Sequence, residues 1–301
     1  MWGVDNDSPC LKFQKILHIY VLKMKNIHEM IGEKEVIWMP ALYAHKCFGT
    51  DVRERLSEDL KGILKKYPIP FCIGLQGPDM YFFYRPWTRT HVSTYAEKMH
   101  HENADEFFKK AAKEIQKRGR CSREYAYILG FICHFALDSV CHPYVNQMVK
   151  RIEVGHMEIE GEFEKFLLRK EGKDALSYPV EKYIPTDEMT VETMSHFFPN
   201  ISRKEIKESL VTYRLVEKIL TAPGRFKQGV INLLLRILGI YKKYYGLMHS
   251  YYDNPKCRQT NEELEKKYNQ AILVAIELIQ GYDDYICNGI PLPERFQRTY
   301  D

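Results

Sequence analysis

The chain has no long uninterrupted run of apolar residues. The longest, Val230 to Tyr241, is interrupted by Arg236 and falls short of the roughly 20 residues a spanning helix needs. The start of the sequence does not read as a secretory signal, because charges are mixed into the apolar stretch Lys12 to Lys25 and no small-residue cleavage site follows. Eight cysteines are scattered (Cys10, Cys47, Cys72, Cys121, Cys133, Cys141, Cys257, Cys287) and form no CxxC pair, which excludes a zinc ribbon or a thioredoxin-type site. They read as reduced, mostly buried thiols, and the expected setting is cytoplasmic. There is no internal repeat, no low-complexity tract and no convincing strand alternation. A net charge of +4 is too small to indicate a nucleic-acid partner, although a weakly basic surface tolerates anionic substrates such as phosphate esters.

What is present is helical. With 301 residues, 45% hydrophobic and 28% charged, the chain has the balance of a globular protein with a sizeable core. Phe107, Phe108, Ala111, Ala112 and Ile115 form the inner stripe of a helix over Glu102 to Gln116, and the same period predicts helices over Arg203 to Leu220 and Asn261 to Gln280. Ser202 and Asn261 stand where N-caps belong, and Gly281 where the last helix would stop. Prolines from Pro40 to Pro223 punctuate the helical stretches. The expectation is an all-α fold of eight to ten helices. A polar, Pro-containing connection from about Tyr178 to Pro199 divides a ligand-bearing half (39–178) from a helical C-terminal half (179–301).

The chemistry lies in His134-Phe135-Ala136-Leu137-Asp138-Ser139-Val140-Cys141-His142. Steps of four residues put His134, Asp138 and His142 on one helix face over roughly 12 Å. Their neighbours, Ile128, Leu129, Phe131, Ile132, Phe135, Leu137 and Val140, are those of a buried helix, where a carboxylate between imidazoles is expensive unless it is paired or bound to a cation, and metal coordination meets that need directly. His156 and Glu160 repeat the spacing, and mixed nitrogen and carboxylate donors suit zinc. Cys133 and Cys141 would point about 100° around the helix and read as packing residues.

Upstream, His45 follows Pro40-Ala41-Leu42-Tyr43-Ala44, Asp79 closes Gly74-Leu75-Gln76-Gly77-Pro78-Asp79, and His100-His101-Glu102-Asn103 precedes the Phe107 helix. As an ordered series from Met39 to Leu168 (MPALYAHKCFG, GLQGPDMYFFY, MHHEN, GFICHFALDSVCHP, GHMEIEGEFEKFLL), the chain resembles the zinc-dependent phospholipase C family, whose all-helical fold is shared by single-strand-specific zinc nucleases. The resemblance implies a phosphodiester hydrolase with three zinc ions. Asp79, His100 and His134 would hold one. Asp138 would bridge to a second, held also by His45 and the amino terminus, and His142, His156 and Glu160 would hold the third. His91 and His101 compete with His100, because the spacing after Asp79 departs from that of the secreted enzymes.

An amino-terminal ligand requires a terminus near His45. Lys34-Glu35-Val36 can be encoded as a ribosome-binding sequence a short spacer before Met39. Residues 1–38 are therefore expected to be upstream sequence, with Pro40 exposed as the terminus; the alternative is a genuine extension with a helix over Leu11 to Met30. On the implied mechanism, clustered zinc polarises a phosphodiester oxygen and activates water, Asp138 bridges, and Asp79 is the general base. The run Met80 to Trp87 follows Asp79, so Tyr81 and Phe83 are candidates to line the site mouth and Arg85 to meet phosphate, against a reading of the run as core. The implied substrate is a phospholipid or small phosphodiester, with peripheral membrane contact. Two alternatives stay open: a single-strand nuclease or nucleotidase, and a non-catalytic helical protein with structural zinc.

Overall fold

A computed structural model describes residues 41–300 other than Trp87, Leu238 and Ile240. The expected Met39 start, the Pro40 terminus and the Leu11 to Met30 helix lie outside the described residues. Within them the chain is all-helical, with eleven α-helices of seven residues or more and no strand. These are α1 (Leu42–Arg53), α2 (Glu58–Lys66), α3 (Pro68–Gly74), α4 (His91–His101), α5 (Asp105–Arg118), α6 (Arg123–Ile152), α7 (His156–Lys170), α8 (Glu188–Ser195), α9 (Arg203–Leu220), α10 (Arg225–Ile237) and α11 (Arg258–Asn288).

Helix α6 is the axis of the fold. Its N-cap Ser122 accepts a hydrogen bond from Tyr125 N, and it ends at Glu153 in the left-handed region (φ 54°). Its length and apolar character pass the test for a membrane-crossing helix, the only described helix to do so, but most of that stretch is buried inside the protein. Apart from the buried His134, Asp138 and His142 stripe and the partly exposed last turns, it is apolar all round because it is packed all round: α3 crosses one side, α11 another, and α1, α5, α7 and α8 cover the rest. The α3 crossing is close enough to require glycine on both helices. A Cβ at Gly130 would stand 2.2 Å from Phe71 O, and one at Gly74 2.1 Å from Tyr127 O. Backbone cannot yield as a flexible side chain can. Gly130→Ala is therefore expected to lower the unfolding free energy by about 3 kcal/mol in a urea titration.

The sequence boundaries hold for α9, where Ser202 and Glu205 form a capping box, and shift elsewhere. Glu102 caps the end of α4, so α5 starts at Asp105. Asn261 is not an N-cap: Pro255–Cys257 form a 3-10 turn capped by Asn254, α11 starts at Arg258, and Asn261 Nδ2 donates to Glu162 O (3.3 Å). Nor does Gly281 stop α11, which runs to Asn288 and is terminated by Gly289 at φ 68°. Gly281 serves close packing instead, since a Cβ there would meet Pro293 Cγ at 2.4 Å. The Tyr178 to Pro199 connection contains α8, whose Val191 and Met194 enter the core. One continuous apolar core runs from Leu42 to Tyr300.

Candidate metal centre

Five segments bring eight donors to the side of α6. His134, Asp138 and His142 come from α6, His45 from α1, Asp79 from the 3-10 turn Asp79–Phe83, His100 from α4, and His156 and Glu160 from α7. All but His156 are buried to within a few percent.

Each segment is held for a local reason. Ala41 gives α1 no side-chain cap, and Glu164 of α7 replaces one by accepting from Tyr43 N and from Ala44 N (3.2 Å). Glu164 is in turn bound by His249 Nε2 at 2.9 Å. His249 Nδ1 faces Ala175 O at 2.9 Å, so both ring nitrogens face acceptors; burial opposes protonation, but Glu164 raises the imidazole above its ordinary value. The turn before Asp79 needs Gly77, whose φ is 50° and whose Cβ would strike the His134 ring at 2.1 Å.

The separations are those of donors around shared ions. Asp79 Oδ1 lies 3.0 Å from His100 Nε2 and 3.9 Å from His134 Nε2. Asp138 Oδ2 is 3.0 Å from His134 Nε2, while its Oδ1 is 3.4 Å from His45 Nε2 and 3.7 Å from His142 Nε2. Glu160 Oε1 is 3.0 Å from His156 Nε2 and 3.5 Å from His142 Nε2. Tetrahedral zinc with bonds of about 2.0–2.1 Å places its ligands roughly 3.3 Å apart.

Orientation supports convergence. His134 Nε2 and Asp138 Oδ2, though 3.0 Å apart, do not form a well-directed hydrogen bond, and both are buried without another partner, as are His45 Nδ1 and Glu160 Oε2. Buried polar atoms without a partner of their own are what a bound cation would satisfy. Behind them, His134 Nδ1 donates to Leu75 O (3.2 Å), His100 Nδ1 to Ala96 O (2.8 Å), and His156 Nδ1 to Asn146 Oδ1 (3.2 Å), which presents each Nε2 lone pair inward. Donor chemistry, burial and outer hydrogen bonds therefore fit zinc. Three sets of donors fall within 4.8 Å of one another: His45, Asp79 and His134; His100, His134 and Asp138; and His142, His156 and Glu160. The last is the third set expected from sequence. The first two overlap at His134 and form one continuous wall.

Charge and burial keep His45, Asp138 and Glu160 as donors, and His134 is the exception. Burial holds the His45 imidazole down to about 4 against the pull of Asp138. Burial works against ionisation of Asp138, but the imidazoles of His134, His142 and His45 hold its carboxyl well below the usual range. Glu160, similarly opposed by burial, is brought to about 2 by His156 and His142. Burial opposes protonation of His134, yet Asp138 and Asp79 raise it.

Residues 44–210, more than half of the chain, match the family described as zinc dependent phospholipase C. The chain belongs to the zinc-dependent phospholipase C family. Searches of curated proteins and of solved structures return no match. The family match reaches past Leu168, where the recognisable motifs end, to Leu210 in α9.

Of the three candidate histidines after Asp79, only His100 lies among these donors. His91 is exposed and pairs with Glu205 (3.2 Å), and His101 is exposed at the end of α4. Tyr81, Phe83 and Arg85 are not brought to the donors. Tyr81 packs on Phe198 and Phe83 stacks on Tyr213, both in the core, and Arg85 pairs with Glu208 (3.4 Å) at the surface. The 3-10 turn sends the aromatic run inward behind Asp79.

Two neighbours escaped the sequence reading. Tyr300 is buried, with its ring 5.3 Å from that of His100 and 5.9 Å from that of His134, its N–H donating to His100 O, and its hydroxyl without a hydrogen-bond partner among the described residues. Asn146, one turn beyond His142, orients His156. Asn146→Ala is expected to weaken zinc binding at the His142/His156/Glu160 set by roughly 10–100-fold, measured by competition with a chromophoric chelator.

Proposed function

We propose that the protein is a zinc-dependent phosphoric diester hydrolase of the phospholipase C type, cutting the headgroup linkage of a phospholipid or the equivalent bond of a small diester. The observation that carries this reading is the convergence of eight donors from five segments, seven of them buried, with partnerless polar atoms among them and ring orientations fixed from behind. Zinc bound there supplies Lewis acidity toward a phosphoryl oxygen and lowers the pKa of water. Asp138, between His45, His134 and His142, would be the carboxylate that holds zinc together with these imidazoles and balances its charge. Asp79 presents Oδ1 to His100, and its other oxygen is assigned to take the proton of the attacking water. The surrounding core excludes bulk water, so these charges act in a medium of low dielectric. Seven free thiols among the described residues support a reducing, cytoplasmic setting, where the diester would be soluble or on the inner leaflet of the membrane.

The test is hydrolysis of a short-chain phosphatidylcholine beside single-stranded DNA by zinc-loaded full-length protein. Cleavage of the lipid, lost by a factor of about 10²–10⁴ in Asp79→Asn with helix content unchanged, is the expected result. Preferential cleavage of DNA would assign the nuclease chemistry instead. Bound zinc with no hydrolysis of either would leave a structural centre.

A further inference from the structure

Helix α10 (Arg225–Ile237) departs from the pattern of the fold. It is strongly amphipathic, yet only Gln228 among its residues is buried. Phe226, Leu233 and Ile237 are 85%, 59% and 67% exposed. With half-buried Val230 they recur at steps of four, three and four, which is one face of a helix. Gln228 lies on the opposite side and fastens it, donating from Nε2 to Ala222 O (2.9 Å) and His249 O (3.0 Å). The helix is therefore attached on its Gln228 side, where Ile231 and Leu235 are half-buried, and presents the Phe226, Leu233 and Ile237 stripe outward.

The surroundings indicate what covers that face. From Lys218 to Tyr252 there is no aspartate or glutamate, in a chain that has 40 of them, while Lys218, Arg225, Lys227, Arg236, Lys242 and Lys243 are all basic. Arg225 and Arg236 fall on one flank of the apolar stripe and Lys227 on the other, about a quarter-turn away. Arg225 lies over Tyr251 and Arg236 over Tyr241, and Tyr252 is 74% exposed. An apolar stripe with cations on both flanks and tyrosines at its margin is the composition of a helix lying in the interface of an anionic bilayer.

The segment is also coupled to the candidate centre. The 3-10 turn Tyr245–Leu247 packs on α7 so closely that a Cβ at Gly246 would meet Glu158 N at 2.2 Å. His249 grips Glu164, which caps the helix bearing His45.

We propose that α10 docks the protein on an anionic lipid surface, with Phe226, Val230, Leu233 and Ile237 entering the boundary between headgroups and acyl chains. The choice of lipid as occupant deepens, and rests on, the phospholipase reading above; docking itself is measured without turnover. Zinc-loaded full-length protein is sedimented with vesicles of equal parts phosphatidylcholine and phosphatidylglycerol, and with vesicles of phosphatidylcholine alone. Binding is expected to be at least tenfold tighter to the anionic vesicles, to weaken with added salt, and to fall at least tenfold in the double variant F226S/L233S. Zinc content, melting temperature and hydrolysis of a monomeric soluble diester stay unchanged, because both side chains are exposed. R225Q/R236Q should remove the preference for phosphatidylglycerol. Equal binding by wild type and F226S/L233S would overturn the inference. So would a wild type that ignores vesicles, whether alone or as a dimer that F226S/L233S dissociates. Protein that docks but does not hydrolyse any diester removes the enzymatic reading and leaves docking standing; hydrolysis without docking does the reverse.

Discussion

Asp138→Asn is expected to abolish hydrolysis and to lower zinc content by at least one ion per chain, with helix content preserved. Asp138 stands 3.0–3.7 Å from three imidazoles, so zinc held by any of them would draw on its charge. Asparagine keeps the volume and removes the charge. Removing one partner of a buried ionic cluster costs about 3–5 kcal/mol, which at 1.4 kcal/mol per decade is a loss of roughly 10²–10³·⁵ in zinc affinity. Metal analysis after gel filtration separates this outcome from a folding defect. Full zinc occupancy in the variant would show that the Asp138 carboxylate is not needed to hold any of the ions.

Stripping zinc from the wild type should cost more stability than any single substitution. A ligand present at a thousand times its dissociation constant stabilises by about 4 kcal/mol, and a chain of this size moves by roughly 2–4 °C per kcal/mol, so each ion lost lowers the melting temperature by about 10 °C. The effect depends on pH in a definite direction. Without the ion, Asp138 and Asp79 raise the proton affinity of His134, so protons compete with zinc there. The stabilisation by zinc must therefore shrink as pH falls, with a tenfold loss of affinity per pH unit for each proton that zinc displaces. The zinc-free protein carries its own acid-labile contribution. Glu160, brought from 4.5 to about 2, contributes stability above the unfolded value of 4.5 that is lost as pH falls toward 2. Calorimetric scans with and without chelator across this range measure both.

The donors on α6 and α7 were legible because helical spacing turns sequence distance into direction: His134, Asp138 and His142, and then His156 and Glu160, are fixed on one face by steps of four. The same logic identified α9 with its cap. It failed where spatial neighbours share no sequence period. His91, His100 and His101 are indistinguishable along the chain, and only the burial of one end of α4 against Asp79 selects His100. Asn146 reads as an ordinary surface amide until α7 is laid beside it. Tyr300 is far in sequence from His100, His134 and Phe135, which its ring meets. Arg85 looked like a phosphate contact because it follows Asp79 closely, but a 3-10 turn advances by three residues rather than extending, and carries the following residues away from the donors. Gly281 read as a stop because glycine ends many helices, whereas here it admits Pro293.

Every donor set includes a residue of α6. The spacing between ion positions is thus ruled off along a single rigid rod, with His134 and His142 two turns apart, rather than set by loops that could adapt separately. An ion seated at either end immobilises the same rod and its crossing partners, so the next ion finds its site already ordered. Zinc uptake should accordingly be cooperative, with chains either full or nearly empty at intermediate zinc, and partly loaded species scarce in a native mass spectrum.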